Sequence, residues 1–573
     1  MAYFLKKTKT NNDIYLQIYD GVYDPERKAS RHYAVQPLGY VKKLQAQGIE
    51  DPIAHYTEVV KRMNAERKAL KQEGEKQEEK KLISKESPEK LLGYFLFKNV
   101  NDGLGVKPWL DLMQSVTNYR FNVYEMLAVL IYARMVMPCS KSKTFEEVIP
   151  RLCEKASFSL DQLYSGLEYM GQEYEKIIEI YNHQIAEKYG FDTSHTYFDC
   201  TNFYFEIDKE DDFRRKGPSK ENRRDPIVGL GLMLDANQIP IGMKLYPGNE
   251  SEKPVMRAVV DDLKRRHNIK GRTIHVADKG LNCAKNIFHA KQAGDGYIFS
   301  KSIKQLPKQE KEWVLNPADY KSVTDDSGKE LYRIKECIDQ FPYVYEDESG
   351  KTTTICLTEK RVVTFNPQLA KKKIYEIDRQ VEKAKSLRAS AAKRDEYGDS
   401  AKYVTFLPAD KKGKTLDGKI NVEINQNAID EDKKLAGYNL IVTSETNLSP
   451  AAVYEAYHNL WRIEESFRVM KSQLDARPVY LQKEDTIKGH FLVCYLSVLL
   501  LRLLQFKVLK NKFSSEEIMD FVRNFRIVRI SDYKSINLSR ASNFIDALAT
   551  ILLPCNSYYL SNSDIKTMLN HRF

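Results

Sequence analysis

Apolar and polar residues alternate along positions 1 to 60, in stretches such as DIYLQIYDG and RHYAVQPLGYV. That period of two predicts a small antiparallel β meander with turns at Asn11-Asn12 and around Pro25. From 61 to 90 Lys, Glu and Gln dominate, which predicts a solvated helical linker. A helical period returns between 91 and 190, in FNVYEMLAVLIYARMVM and YEKIIEIYNHQIAEKYG, and predicts an all-helical domain. From 191 to 302 the texture is three strands in hairpin succession, then strand and helix in alternation, the pattern of a mixed α/β sheet. Residues 303 to 437 interrupt it with short alternating strands and one charged helix, too long for a loop and expected to fold as a β-rich subdomain of its own. YNLIVTSE opens a return to the sheet over 438–502, and 503–573 reads as a helical C-terminal region.

The chain is long enough for several such units, and its 90 Lys and Arg against 79 Asp and Glu give a net charge of +11. A polyanion such as nucleic acid is therefore a candidate partner. Eight cysteines lie scattered with no C-x-x-C pair, which suggests neither a zinc cluster nor a disulfide framework and fits a reducing cytoplasm. The first residues lack the pattern of a secretory signal. The most apolar run, Phe491 to Leu501, falls short of the ~20 residues that span a bilayer, so a buried helix and no membrane association are expected.

Candidate chemistry concentrates on three acids. Asp199 sits in TYFDCTNFYF, a strand otherwise aromatic and β-branched, where an unpaired carboxylate is costly and needs a cation, a hydrogen-bond network or a metal. The alternative, Asp199 turned to solvent, would also expose Tyr197 and Thr201. Asp278 ends the strand RTIHVAD before Lys279-Gly280, at the kind of strand terminus where α/β sites assemble; it is equally suited to capping the next helix. The third acid lies in WRIEESFRVMK. On a regular helical wheel of ~100° per residue, Tyr457, Trp461, Glu464, Arg468 and Lys471 form one stripe beside an apolar face of Leu460, Ile463, Phe467, Met470 and Leu474. This places Glu464 at the edge of the core and Glu465 nearer water. Three carboxylates from distant segments suit two Mg²⁺ or Mn²⁺ ions, which can activate a water or hydroxyl for attack on a phosphodiester. The cations of the stripe would hold phosphates.

Through FDCTNFYFE, DPIVGLGLMLDANQIPIGMKLYPGNESEKP, HVADKGL and YHNLWRIEESFRVMKSQL, the sequence resembles the DDE transposases of bacterial insertion sequences. The likeness is to the branch with a tyrosine–arginine–glutamate–lysine signature. It implies an RNase H-like core interrupted by a β-rich insertion, with Asp199, Asp278 and Glu464 as catalytic metal ligands. Tyr457 and Lys471 match the signature tyrosine and lysine, which contact DNA. The signature arginine is Leu460 here, leaving Arg468 or Arg462 as replacement. Trp313, with Trp461 as rival, corresponds to the tryptophan that related enzymes set against a flipped base. The implied activity is cut-and-paste transposition by a homodimer acting on terminal inverted repeats and target DNA in the bacterial cytoplasm, with 91–190 binding the repeats. A nuclease without strand transfer, or an inactive DNA-binding derivative, are the competing readings.

Overall fold

The computed structural model describes residues 2–10, 12–24, 29–79, 87–221, 223–266, 269–346, 349–390, 394–407, 421–552 and 555–573. The turns expected at Asn11 and Pro25, and the end of the charged segment at 80–86, lie outside them. Two compact units result, Met1–Ser87 and Pro88–Phe573.

In the first unit the strands Ala2–Lys9, Ile14–Asp24 and Ala29–Tyr40 form an antiparallel sheet. A helix, Pro52–Glu79, packs on it. The expected boundary at 60/61 falls inside this helix. The cause is local: Asn64 exchanges hydrogen bonds with the Tyr3 backbone at 2.8 and 2.9 Å, and Arg67 pairs with Asp20 at 2.8 Å, so one polar face of the "linker" is docked.

The second unit is built on a nine-stranded sheet, numbered here along the chain: β1 His195–Tyr204, β2 Ile227–Asp235, β3 Pro240–Pro247, β4 Ile274–Ala277, β5 Gly296–Lys301, β6 Lys321–Thr324, β7 Glu330–Glu346, β8 Thr352–Phe365 and β9 Tyr438–Thr443. Their order is β6-β7-β8-β9-β5-β4-β1-β2-β3. β1, β4 and β5 run parallel; every other pairing is antiparallel. The expected separate subdomain at 303–437 is thus corrected in part. β6, β7 and β8 extend the main sheet because β8 pairs with β9 through backbone hydrogen bonds and buries Val362 and Val363 on opposite faces. Among the described residues, the helix Pro367–Ala389, the segment Arg394–Tyr403, the hairpin of Val404–Leu407 with Asn421–Ile424 and the helix Gln426–Lys434 form two small cores of their own.

Six helices matter to the sites: α1 Val123–Val136, α2 Glu252–Arg265, α3 Ala284–Gln292, α4 Pro450–His458, α5 Trp461–Arg468 and α6 Glu484–Arg502. α6 is buried along nearly its whole length, and α1, the sheet and the C-terminal helices contribute to the same apolar cluster. The regions 91–190, 191–302 and 438–573 therefore share one core instead of forming separate domains. With its π-helical continuation α6 spans Glu484–Val508, long and apolar enough to cross a membrane, yet 83% of its most apolar window is inside the fold. The run 491–501 understated this length because Leu503 and Leu504 carry the apolar pattern on. Nor is 503–573 wholly helical: Arg526–Ser531, Lys534–Asn537 and Tyr559–Ser561 form a sheet with Glu89–Leu91, following the alternation of RIVRIS.

Candidate functional site: an acid pair beside a kinked helix

Side-chain alternation on β1 decides which way its acid points. Phe198 and Cys200 enter the core on one face of the sheet, while Tyr197 and Phe203 enter the other, together with Ile463 and Phe467 of α5. Asp199 shares the second face. Tyr197 and Thr201 are each 3% exposed, so the strand is not turned to solvent, and the Asp199 side chain retains 21% exposure. In the parallel pairing Phe198 lies opposite Ala277, which brings Asp278, one residue past the end of β4, alongside Asp199. Asp278 does not cap α3, whose N-cap is Cys283; its Oδ1 accepts a hydrogen bond from the Tyr457 hydroxyl at 2.9 Å.

Burial pushes the Asp199 carboxyl up to about 6, Lys220 opposes the shift, and Glu252 and Asp278 reinforce it. Lys220 Nζ lies 3.8 Å from Asp199 and 3.7 Å from Glu252, and also donates to the Cys200 carbonyl. Next to it, Glu221 accepts from Lys471 at 3.2 Å and pairs with Arg477. Burial lowers the Lys471 ammonium to about 8, with Lys220 adding to that and Asp199 opposing it. The segment 219–221 thus lays a cation on the acids and an anion on the cations. Lys220, Glu221, Glu252 and Arg477 were absent from the sequence-based set. For Lys220 and Glu221 the dense charge of KEDDFRRKGPSKENRRD between two apolar strands is the available signal, but it reads equally as a solvated loop; nothing in the sequence marks Glu252 or Arg477.

The stripe read from a regular wheel is corrected. α4 and α5 are two helices, and Leu460, Arg462 and Ile463 donate to residues three back (Tyr457, Asn459 and Leu460) at 3.1, 3.2 and 3.0 Å. Such 3₁₀ turns advance ~120° per residue in place of ~100°, and the π turns at Val469–Gln473 then unwind the chain again. The two glutamates consequently exchange the places expected of them. Glu465 turns inward, 3.3 Å from the buried Arg502 and accepting from the Ser515 hydroxyl at 2.8 Å, whereas Glu464 is exposed. Glu464 acts electrostatically on Tyr457: burial, then Asp278, and more weakly Glu464 raise that phenol. Asp199, Asp278 and Tyr457 are therefore together and Glu464 is near Tyr457. Among the described residues, no three His, Cys, Asp or Glu side chains stand close enough to ligate one ion as they are placed.

Leu460, which stands where the resemblance would put an arginine, is buried in the core. Arg468 and Trp461 are exposed beside Glu464, the latter with the Arg462 guanidinium 5.3 Å from its ring centroid. Trp313 instead packs on the second core cluster with Lys335 over its ring at 4.8 Å, and no hydrogen bond or ring contact among the described residues links it to the acids.

No curated protein matches the chain. Among solved structures it is similar to the piggyBac transposase synaptic complex with hairpin DNA, determined by cryo-electron microscopy. That likeness is 10% identity over 76% of this chain and 79% of that one, with a TM-score of 0.37. The model of the transposase DDE domain matches residues 190–500, the span that carries the sheet, the acid pair and the kinked helix, and the chain belongs to that family.

Proposed function

We propose that this chain is a cut-and-paste DNA transposase with an RNase H-like catalytic core, in which Asp199, Asp278 and Glu464 hold divalent cations. The observation that carries the reading is the register of β1 against β4, which sets Asp199 and Asp278 side by side on the face covered by the helix of Glu464. The donor set fits Mg²⁺ or Mn²⁺: all three are hard oxygen ligands, Lys220 already sits as a cation 3.8 Å from Asp199, and burial, reinforced by Glu252 and Asp278, raises the Asp199 carboxyl. When bound, such ions acidify an attacking water or 3′-hydroxyl and stabilise the leaving oxygen.

The protein's own groups supply orientation and phosphate binding. Tyr457 fixes one Asp278 oxygen by hydrogen bond, and the other, which has no hydrogen-bond partner among the described residues, would be the one to ligate. Lys471 and Arg477 converge on Glu221, the neighbour of Lys220, and a DNA phosphate in place of the Glu221 carboxylate would meet both cations at once. Arg468 and Trp461 offer a charge and a stacking surface on the exposed edge of α5. A transposon has two ends, so a homodimer is expected in the synaptic complex.

The test uses DNA carrying the ends that flank the gene. Wild-type protein with Mg²⁺ should cleave the end and join a pre-nicked 3′-OH end to a plasmid. Asp199→Asn should bind the same DNA with unchanged affinity and do neither. Cleavage without joining would make it a nuclease, and cleavage by Asp199→Asn would overturn the assignment.

A further inference from the structure

A cavity of about 220 Å³ opens between α1, the turn at Ser140–Lys141, the segment 475–481 and the first turns of α6. Its wall carries three basic side chains that are almost wholly buried: Arg134 and Lys141 at 6% exposure and His490 at 5%. Arg134 donates only to the Leu474 carbonyl, at 3.3 Å, and Lys141 Nζ meets only His490 Nδ1, at 3.2 Å, among the described residues. When Lys141 is an ammonium it has no lone pair, so Nδ1 then accepts and the ring proton sits on Nε2, which faces the Ala476 carbonyl at 3.3 Å. Burial, reinforced by Lys141 and Arg134, keeps that imidazole neutral by holding it well below its usual value. The one carboxylate on the wall is Asp475, and among the described residues it forms no ion pair with either cation.

A buried cation without a counter-charge is unfavourable, and two side by side also repel. Lys141 shows the strain, lowered to about 7 by burial and then by Arg134. Such an arrangement is unfavourable empty and favourable around an anion. The donors are a planar guanidinium fork, an ammonium, and the hydroxyls of Ser140 and Tyr164 on the same wall. Several donors converging from different directions match an oxyanion with three or four oxygens better than a planar carboxylate. At roughly 30 Å³ per water the cavity has the volume of about seven waters, room for one phosphate group with solvent.

We propose that this cavity is a phosphate-binding site, separate from the acid pair, in which Arg134 and Lys141 hold a phosphoryl group. The group comes either from the DNA backbone or from a free phosphate ester, and the proposal does not depend on the assignment of the acids.

The full chain is titrated with inorganic phosphate at constant ionic strength set by KCl, following heat and melting temperature, for wild type, Lys141→Met and Arg134→Gln. Wild type should show saturable binding and a phosphate-dependent rise in melting temperature. Lys141→Met should melt, without phosphate, at or above the wild-type temperature because an unpaired buried charge is gone, and should bind phosphate at least tenfold more weakly. Arg134→Gln guards against a folding defect confined to one variant. A duplex added to the titration distinguishes the sources. If it competes with phosphate and binds Lys141→Met more weakly, the DNA backbone occupies the site. If both bind together and DNA affinity is unchanged, the ligand is a free phosphate ester. No saturable phosphate binding together with unaltered DNA affinity, or phosphate binding equal in all three proteins, overturns the proposal.

Discussion

Replacing either of two adjacent glutamates by alanine should damage the protein in opposite ways. Glu465 has a 13% exposed side chain that pairs with Arg502, itself 1% exposed, at 3.3 Å and also accepts from Ser515. Without Glu465, Arg502 keeps Gln505 Oε1 at 2.7 Å and the Ser466 hydroxyl, both neutral. Breaking a buried ion pair from one side costs ~3–5 kcal/mol, and the residual exposure of Glu465 places this one near the lower end, ~3 kcal/mol. An unfolding entropy of roughly 1 kcal/mol/K for a unit of this size turns that into a melting point lower by about 3 °C. Glu464 is exposed and has no ion pair among the described residues, so Glu464→Ala should melt within about 1 °C of wild type. Calorimetry of the two variants, with single-turnover DNA cleavage on the same samples, gives the comparison. Glu465→Ala should be unstable but competent at low temperature, and Glu464→Ala stable but inactive. Equal melting points, or an active Glu464→Ala, would refute the assignment of the pair.

Asp199→Asn should stabilise the free protein at neutral pH. Because burial raises the folded carboxyl to about 6 from an ordinary value near 4, the native state holds its proton more tightly than the unfolded chain does. The wild-type carboxylate therefore costs stability progressively as pH rises through that window, by on the order of 2–3 kcal/mol above it. The advantage of Asp199→Asn should be full at pH 7.5 and vanish near pH 4 in thermal melts; a constant or reversed difference contradicts the burial argument. Glu221→Gln uncovers Lys471 and Arg477, and duplex affinity by fluorescence anisotropy should rise roughly fivefold, ~1 kcal/mol, whereas weaker binding would show that Glu221 organises the cations instead of shielding them. Gly489→Ala should destabilise by ~2 kcal/mol or more, because a Cβ there overlaps the Leu167 carbonyl where α6 crosses its neighbour; an unchanged melting point would mean that the crossing relaxes.

Asp199 and Asp278 were legible because a strand repeats every two residues: an acid among aromatics, and an acid after the last apolar position of the next strand, announce themselves in one dimension. The order of Glu464 and Glu465 was not. A wheel carried from Tyr457 assumes one constant turn, and the i→i−3 hydrogen bonds around Leu460 break that constancy. β6 to β8 were visible as strands, but their alternation carries no information on which sheet they join, since edge pairing is decided by backbone partners far along the chain. Lys220 and Glu221 were illegible for a related reason. One charged loop resembles another until it is known which charges it folds against. The same holds for Arg134 and Lys141, which precede His490 by more than 300 residues and come together with it only at α6.

The central claim is that Asp199, Asp278 and Glu464 belong to one cation site, and Mn²⁺ titration of the full chain followed by electron paramagnetic resonance tests it most directly. Wild type should bind Mn²⁺ in the presence of duplex DNA. Asp199→Asn, Asp278→Asn and Glu464→Gln should each weaken that binding by at least roughly tenfold, the effect of losing a ligand or its support, with melting points no lower than wild type. Mn²⁺ binding by Glu464→Gln indistinguishable from that of wild type, with or without DNA, would contradict the claim and leave the acid pair without its third member.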